Sequence, residues 1–119
     1  ILPAISIGLL SVGVLNLNNM RDIKTDKESN KITMAVLLGA RFAKAYHLFL
    51  LLGAVLTAVL YVKTNLEPSY LFMIAVLPMM IHLRRVLGYD NPKEFDPELK
   101  RLALYTFLFS ILFSIGQNI

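Results

Sequence analysis

The chain is built of long apolar blocks separated by short polar ones. Four apolar segments stand out: Ile1 to about Asn19, about Tyr46 to Val62, about Ser69 to Leu83, and about Leu102 to Gly116. Each approaches the roughly 20 residues an α-helix needs to cross a bilayer, the last two falling short unless their polar flanks snorkel. The pattern predicts an all-α protein, a polytopic membrane bundle of four transmembrane helices, with residues 1–119 forming a single region.

The connections support this through their charges. The first holds Arg21, Lys24, Lys27, Lys31, Arg41 and Lys44, the second only Lys63, and the third Arg84, Arg85, Lys93, Lys100 and Arg101. Four crossings put the first and third connections on one side, and the excess of basic residues places that side in the cytoplasm. The expectation is an integral protein of the cell's inner membrane with its polar loops facing the cytoplasm.

Composition agrees. Hydrophobic residues make up 56% and charged residues 17%, against roughly 45–50% and about 25% in an ordinary soluble domain. The net charge of +4 sits in two loops rather than on one face of a folded surface, which points to membrane topology and away from nucleic acid. The absence of cysteine removes disulfide frameworks and thiolate metal sites. The chain opens on Ile with no basic leader and reads as part of a longer protein.

Local signals mark some boundaries. Asn65-Leu66-Glu67-Pro68 is a short turn, and Asp96-Pro97-Glu98 predicts an N-cap, a proline at the first helical position and an acid in the first turn. Pro3 and Pro78 lie inside apolar segments and predict kinks or local unwinding. Gly13 and Gly53 suit close helix contact.

The chemistry concentrates where the first apolar block ends, in NNMRDIKTDKESNK from Asn18 to Lys31. On a helix, Asn18, Asp22 and Asp26 share one face at i, i+4 and i+8, with Asn19 beside them. Two carboxylates one turn apart repel by roughly a few tenths of a kcal/mol, and an acid at mid-bilayer costs about 2.5–3.5 kcal/mol. Compensation has two readings. Arg21, Lys24, Lys27 and Lys31 can neutralise both acids in a solvated surface loop. Alternatively the acids hold a divalent cation, and an all-oxygen constellation favours Mg²⁺, with Arg21, Lys27 and Lys31 clamping a diphosphate. A metal and basic side chains on a diphosphate stabilise it as a leaving group, and a site among membrane helices suits a lipidic substrate.

These residues resemble the UbiA superfamily of intramembrane prenyltransferases, most closely its menaquinone branch, which acts on 1,4-dihydroxy-2-naphthoate. That branch carries a second aspartate-rich motif of the form NNxRDxxxDxxxGKxTLAxxxG. Here the motif reads NNMRDIKTDKESNKITMAVLLG from Asn18 to Gly39, with Asn18, Asn19, Arg21, Asp22, Asp26, Lys31, Thr33, Ala35 and Gly39 in register. The closing FDPELKRLALYTFLFSILFSIG is also similar. Asn30 replaces the family's usual Gly, a mild change because Asn tolerates left-handed backbone at a helix end, and Met34 replaces a usual Leu.

The resemblance implies Mg²⁺-dependent transfer of a polyprenyl group from polyprenyl diphosphate to 1,4-dihydroxy-2-naphthoate. By family position Asp22 and Asp26 are Mg²⁺ ligands, Asn18 or Asn19 supports the metal and diphosphate, and Arg21 and Lys31 contact the diphosphate. The family has about nine helices and an earlier NxxxDxxxD motif that this chain lacks. The chain is therefore expected to be the C-terminal four helices, to need the N-terminal helices as partner, and to be inactive alone.

Other residues invite chemistry but have simpler explanations. His47 and His82 lie toward the ends of apolar segments with no second ligand at useful spacing, and packing or interfacial roles account for them. Topology explains Arg84 and Arg85. The aromatic residues could line a prenyl tunnel or face lipid. Two alternatives to the leading reading are a UbiA-type enzyme with another aromatic acceptor and a small transporter using Asp22 and Asp26 as an entry site. The later helices carry no acid in their interiors, which weighs against a transporter.

Overall fold

A computed structural model of the chain describes residues 1–118. The chain is helical throughout, with no strand among the described residues: α1 Leu2–Arg21, α2 Ile23–Glu28, α3 Met34–Lys63, α4 Met73–Gly88, a 3₁₀ turn at Pro92–Glu94, and α5 Phe95–Asn118. The helices form a rod of 52 × 23 × 18 Å, long enough to pass through the roughly 30 Å hydrocarbon layer. Leu2–Arg21, Met34–Lys63 and Pro92–Asn118 have the length and apolar composition of spanning helices. Four crossings were expected; α4, at 16 residues, rises only about 24 Å and is not among the helices long and apolar enough to span.

Small residues let the helices approach. Ala35, Ala43, Ala54, Ala58 and Ala75 are all fully buried, as expected where lipid supplies no hydrophobic drive and packing must hold the bundle together. A Cβ on Gly13 would lie 3.1 Å from a Leu51 methyl, and one on Gly53 3.2 Å from a Leu9 methyl. Both glycines thus serve close helix contact, as expected, and the structure shows that the pair in contact is α1 and α3. Polar links reinforce it: Ser6 Oγ donates to the Ala54 carbonyl at 2.6 Å and Asn16 Nδ2 to the Ala43 carbonyl at 3.2 Å, both buried. At the end near Ser69, Phe72, Phe109 and Phe113 pack ring on ring with centroids 5.4–6.1 Å apart.

Neither proline interrupts its helix. Pro3 sits in the first turn of α1, where its missing N–H costs nothing, and α4 stays helical through Pro78. The non-helical residue inside a long helix is Gly39, at φ 81, ψ 164. The α5 start also differs. Asn91 caps the 3₁₀ turn, accepting from the Lys93 amide while Glu94 accepts from the Asn91 amide, and the helix runs on from Phe95. With the cap supplied upstream, Asp96 and Glu98 are released for other partners.

Candidate active site at the joint between α1 and α2

The joint interrupts the helix without changing its register. Asp22 leaves helical geometry at φ −99, ψ 14, yet its amide still donates to the Asn18 carbonyl at 3.1 Å and the Asp26 amide to the Asp22 carbonyl at 2.8 Å. These i→i−4 bonds keep the i, i+4, i+8 relation of Asn18, Asp22 and Asp26.

Arg21 organises this end. Its Nε and Nη2 donate to the two oxygens of Asp22 at 2.9 and 3.1 Å, Nη2 also to Asn18 Oδ1 at 2.8 Å, and Nη1 to Asp96 Oδ1 at 2.8 Å. The fork holds the Asp22 carboxyl below its usual pKa, first through hydrogen bonding and then through charge. Burial opposes the shift and Lys31 adds attraction. Asp22 is therefore ionised and about a third exposed, with one flank on Arg21.

Asp26 has no such partner. It is buried, and its Oδ2 has no hydrogen-bond partner among the described residues. A buried carboxylate oxygen with nothing to accept from is costly, by several kcal/mol in general, so the position calls for a cation or a donor. Asn16, one turn before Asn19, has a second such oxygen: its Oδ1 is buried and unpartnered. Asn16 and Asn19 line a cavity of about 240 Å³ with Val12, Leu15, Met34 and Tyr46. Asn16 is a further candidate residue that the sequence reading missed, although an amide within an uncharged run, at i−3 from Asn19, is the signal that could have found it.

The rest of the motif is architecture. Asn30 is left-handed at φ 58. Its amide donates to the Lys27 carbonyl and the Lys31 amide to the Asp26 carbonyl, which together make a Schellman motif closing α2. Thr33 caps α3 by accepting from the Val36 amide at 3.2 Å. Gly39 occupies backbone space that is essentially closed to residues with a Cβ. Lys27 and Lys31 are exposed and form no ion pair among the described residues. The structure thus brings Asn18, Arg21 and Asp22 into direct contact, holds Asp26 and Asn19 inside, and leaves both lysines at the rim.

The donors available here are all oxygens, and among the described residues no group of three His, Asp or Glu side chains gathers around one point. Two carboxylates fit Mg²⁺, which usually takes one or two and completes its shell with water and phosphate. The orphaned Asp26 oxygen is the observation that makes the fit more than compositional.

A second polar cluster escaped sequence reading altogether. His47 Nε2 lies 3.0 Å from His82 Nε2, His82 Nδ1 lies 2.7 Å from Glu98 Oε2, and Tyr89 Oη and Arg101 Nη1 donate to Glu98 Oε1 at 3.2 and 2.5 Å. Both histidines do pack between helices, but each has a partner supplied by another helix, which no spacing along the chain could reveal. Arg85 Nη1 approaches Glu98 Oε1 at 3.8 Å, while Arg84 stays exposed.

A bundle of membrane-spanning helices with paired acids at the mouth of the first defines an integral membrane protein, and residues 1–115 match the UbiA prenyltransferase family. The chain belongs to that family. It is 41% identical over 118 residues to a 1,4-dihydroxy-2-naphthoate octaprenyltransferase of Haemophilus influenzae and 36% identical over 118 residues to the Escherichia coli protein of the same name. Each alignment covers 98% of this chain and 38% of the relative, so the chain spans well under half the length of these proteins. A Mycobacterium leprae protein of that name is 49% identical over 63 residues, covering 52% of this chain and 21% of the relative. No solved structure matches significantly.

Proposed function

We propose that this chain is the part of a prenyltransferase that carries the second aspartate motif, and that the whole enzyme transfers a polyprenyl group from its diphosphate to 1,4-dihydroxy-2-naphthoate with Mg²⁺ as cofactor. The protein sits in the inner membrane with the α1–α2 joint on the cytoplasmic side. The names of relatives aligned over 98% of the chain support the donor and acceptor classes. The observation that carries the site is Asp26, buried with an unpartnered oxygen one turn from an ionised Asp22.

In this reading Asp22 and Asp26 hold the cation, with Asn18 or Asn19 supporting it from the last turn of α1. Magnesium bound there supplies positive charge against the diphosphate and stabilises it as a leaving group. Arg21 forks onto the diphosphate, a task that planar guanidinium geometry suits. Lys27 and Lys31 stand at the rim as mobile charges that draw the anion in. Beside Asn19, the cavity walled by Val12, Leu15 and Met34 gives an apolar chain a place next to the headgroup.

The test is prenyl transfer by the full-length protein carrying Asp22→Ala or Asp26→Ala. Losing a group that stabilises developing charge should lower the rate on the order of a hundredfold. A near-wild-type rate in either variant would remove that carboxylate from the cation site. Turnover of 4-hydroxybenzoate in place of dihydroxynaphthoate would replace the acceptor assignment while leaving the metal assignment intact.

A further inference from the structure

Arg21 has little to spare in this structure. Four hydrogen bonds engage its guanidinium, two to Asp22, one to Asn18 and one to Asp96, and a guanidinium has only five N–H donors. As it stands, Arg21 cannot fork onto a diphosphate. The bonds divide by edge, however: the Nε–Nη2 edge lies on Asp22, while Nη1 is held separately by Asp96, 75 residues later in the chain. When the Asp22 carboxylate turns to a cation, the Nε–Nη2 edge is vacated beside it. Two contacts then remain, Nη2 to Asn18 within the same helix and Nη1 to Asp96 on α5, and the Asp96 bond is the one that fixes the guanidinium against a second element. Held by both, it keeps its direction; with the Asn18 bond alone, a long side chain pivots about one contact and loses part of that preorganisation.

Asp96 is well placed to hold. Phe95 before it is buried, and the 3₁₀ turn ahead is closed by the Asn91–Glu94 capping box. Glu98, two residues on, is fully buried and fastened by His82, Tyr89 and Arg101, with His82 in turn against His47 of α3. The first turn of α5 therefore has an anchored inner face and presents Asp96 on its outer face. Asp96 is itself 65% exposed, so its pairing with Arg21 adds little to stability. Its consequence is directional.

We propose that Asp96 is a positioning residue for diphosphate binding, holding Arg21 by Nη1 so that the Nε–Nη2 edge is presented to the anion once Asp22 engages a cation. This rests on the reading of Arg21 as a diphosphate ligand. It adds a third element, the start of α5, to a site otherwise drawn from α1 and α2.

The experiment measures binding of inorganic diphosphate to the purified full-length protein in Mg²⁺ by calorimetry, alongside steady-state prenyl transfer. Asp96→Ala should weaken diphosphate binding and raise the KM for prenyl diphosphate by roughly fivefold, the ratio set by the upper end of an exposed ion pair. The acceptor KM and kcat should stay at wild-type values. Asp96→Asn keeps the accepting oxygen and should lose less, which also guards against misfolding of the alanine variant. In an Arg21→Ala background Asp96→Ala should cause no further loss. Wild-type diphosphate binding by both Asp96 variants, with Arg21→Ala impaired, would overturn the positioning role alone, as would losses that multiply in the double variant. Wild-type binding by Arg21→Ala would overturn the assignment of Arg21 to the diphosphate, and the role of Asp96 with it.

Discussion

Glu98 and His82 meet inside the bundle, Oε2 to Nδ1 at 2.7 Å, with both side chains wholly shut off from solvent. The contact joins α5 to α4, and the approach of His82 to His47 continues it into α3. Three helices thus share one buried polar chain, and Tyr89 and Arg101 donate to the other oxygen of the carboxylate. Truncation leaves His82 buried without its acceptor, a change that costs about 3–5 kcal/mol when a buried pair is broken. Glu98→Ala should therefore lower the melting temperature of the detergent-solubilised protein well beyond Glu98→Gln, which preserves volume and one accepting oxygen. Equal melting temperatures for Glu98→Ala and wild type would show that the cluster does not hold the helices together.

Gly39 makes a different demand, on backbone rather than on space. Nothing lies within 4 Å of where its Cβ would be, yet its φ is +81. Gly39→Ala should destabilise by about 1–3 kcal/mol through strain alone, measured by thermal or chemical unfolding. At Asn30, whose φ is 58, Asn30→Gly should be neutral or slightly stabilising, because glycine enters the left-handed region without penalty. An Asn30→Gly variant as damaged as Gly39→Ala would contradict the Schellman reading.

The unpartnered oxygen of Asp26 predicts a cation-dependent stability. Ligands that bind only the folded state stabilise it in proportion to their occupancy, so Mg²⁺ should raise the melting temperature of the wild-type protein. Asp26→Asn should start higher in the absence of divalent cations, since it replaces a buried, unpartnered carboxylate oxygen with an amide, and should gain less from Mg²⁺. The same Mg²⁺ shift in both proteins would place the cation elsewhere.

Asp22 sets a pH dependence whose sign follows from its lowered pKa. A carboxyl held below its usual value of 3.8 by Arg21 stabilises the fold above that value and loses the contribution as pH falls through the folded-state pKa. Without divalent cations, the stability gap between wild type and Asp22→Asn should stay level from about pH 5 to pH 8 and close below about pH 4. A gap that widens on acidification would mean that the ionised carboxylate is a burden to the fold rather than a support.

Much of this protein was legible as sequence. Long uncharged blocks must be helices in a bilayer, because no other open structure satisfies its backbone there, and the spacing of Asn18, Asp22 and Asp26 survives even where the helix pauses. Asn30 announced its left-handed turn, and Gly13 and Gly53 their close contacts. Residue type and interval were enough in each case because the interactions are local or depend on size alone. What only the tertiary structure decided was partnership across the chain. Asp96, read as a helix cap, instead holds Arg21; Glu98 is the first-turn acid that was expected, and only the tertiary structure buries it against His82; Gly39 interrupts α3 where no break was expected. Hydrogen bonds between helices depend on how the helices are rotated and staggered against one another, which the packing of Ala43, Leu51, Ala54 and Leu102 settles, and one-dimensional spacing carries no record of it.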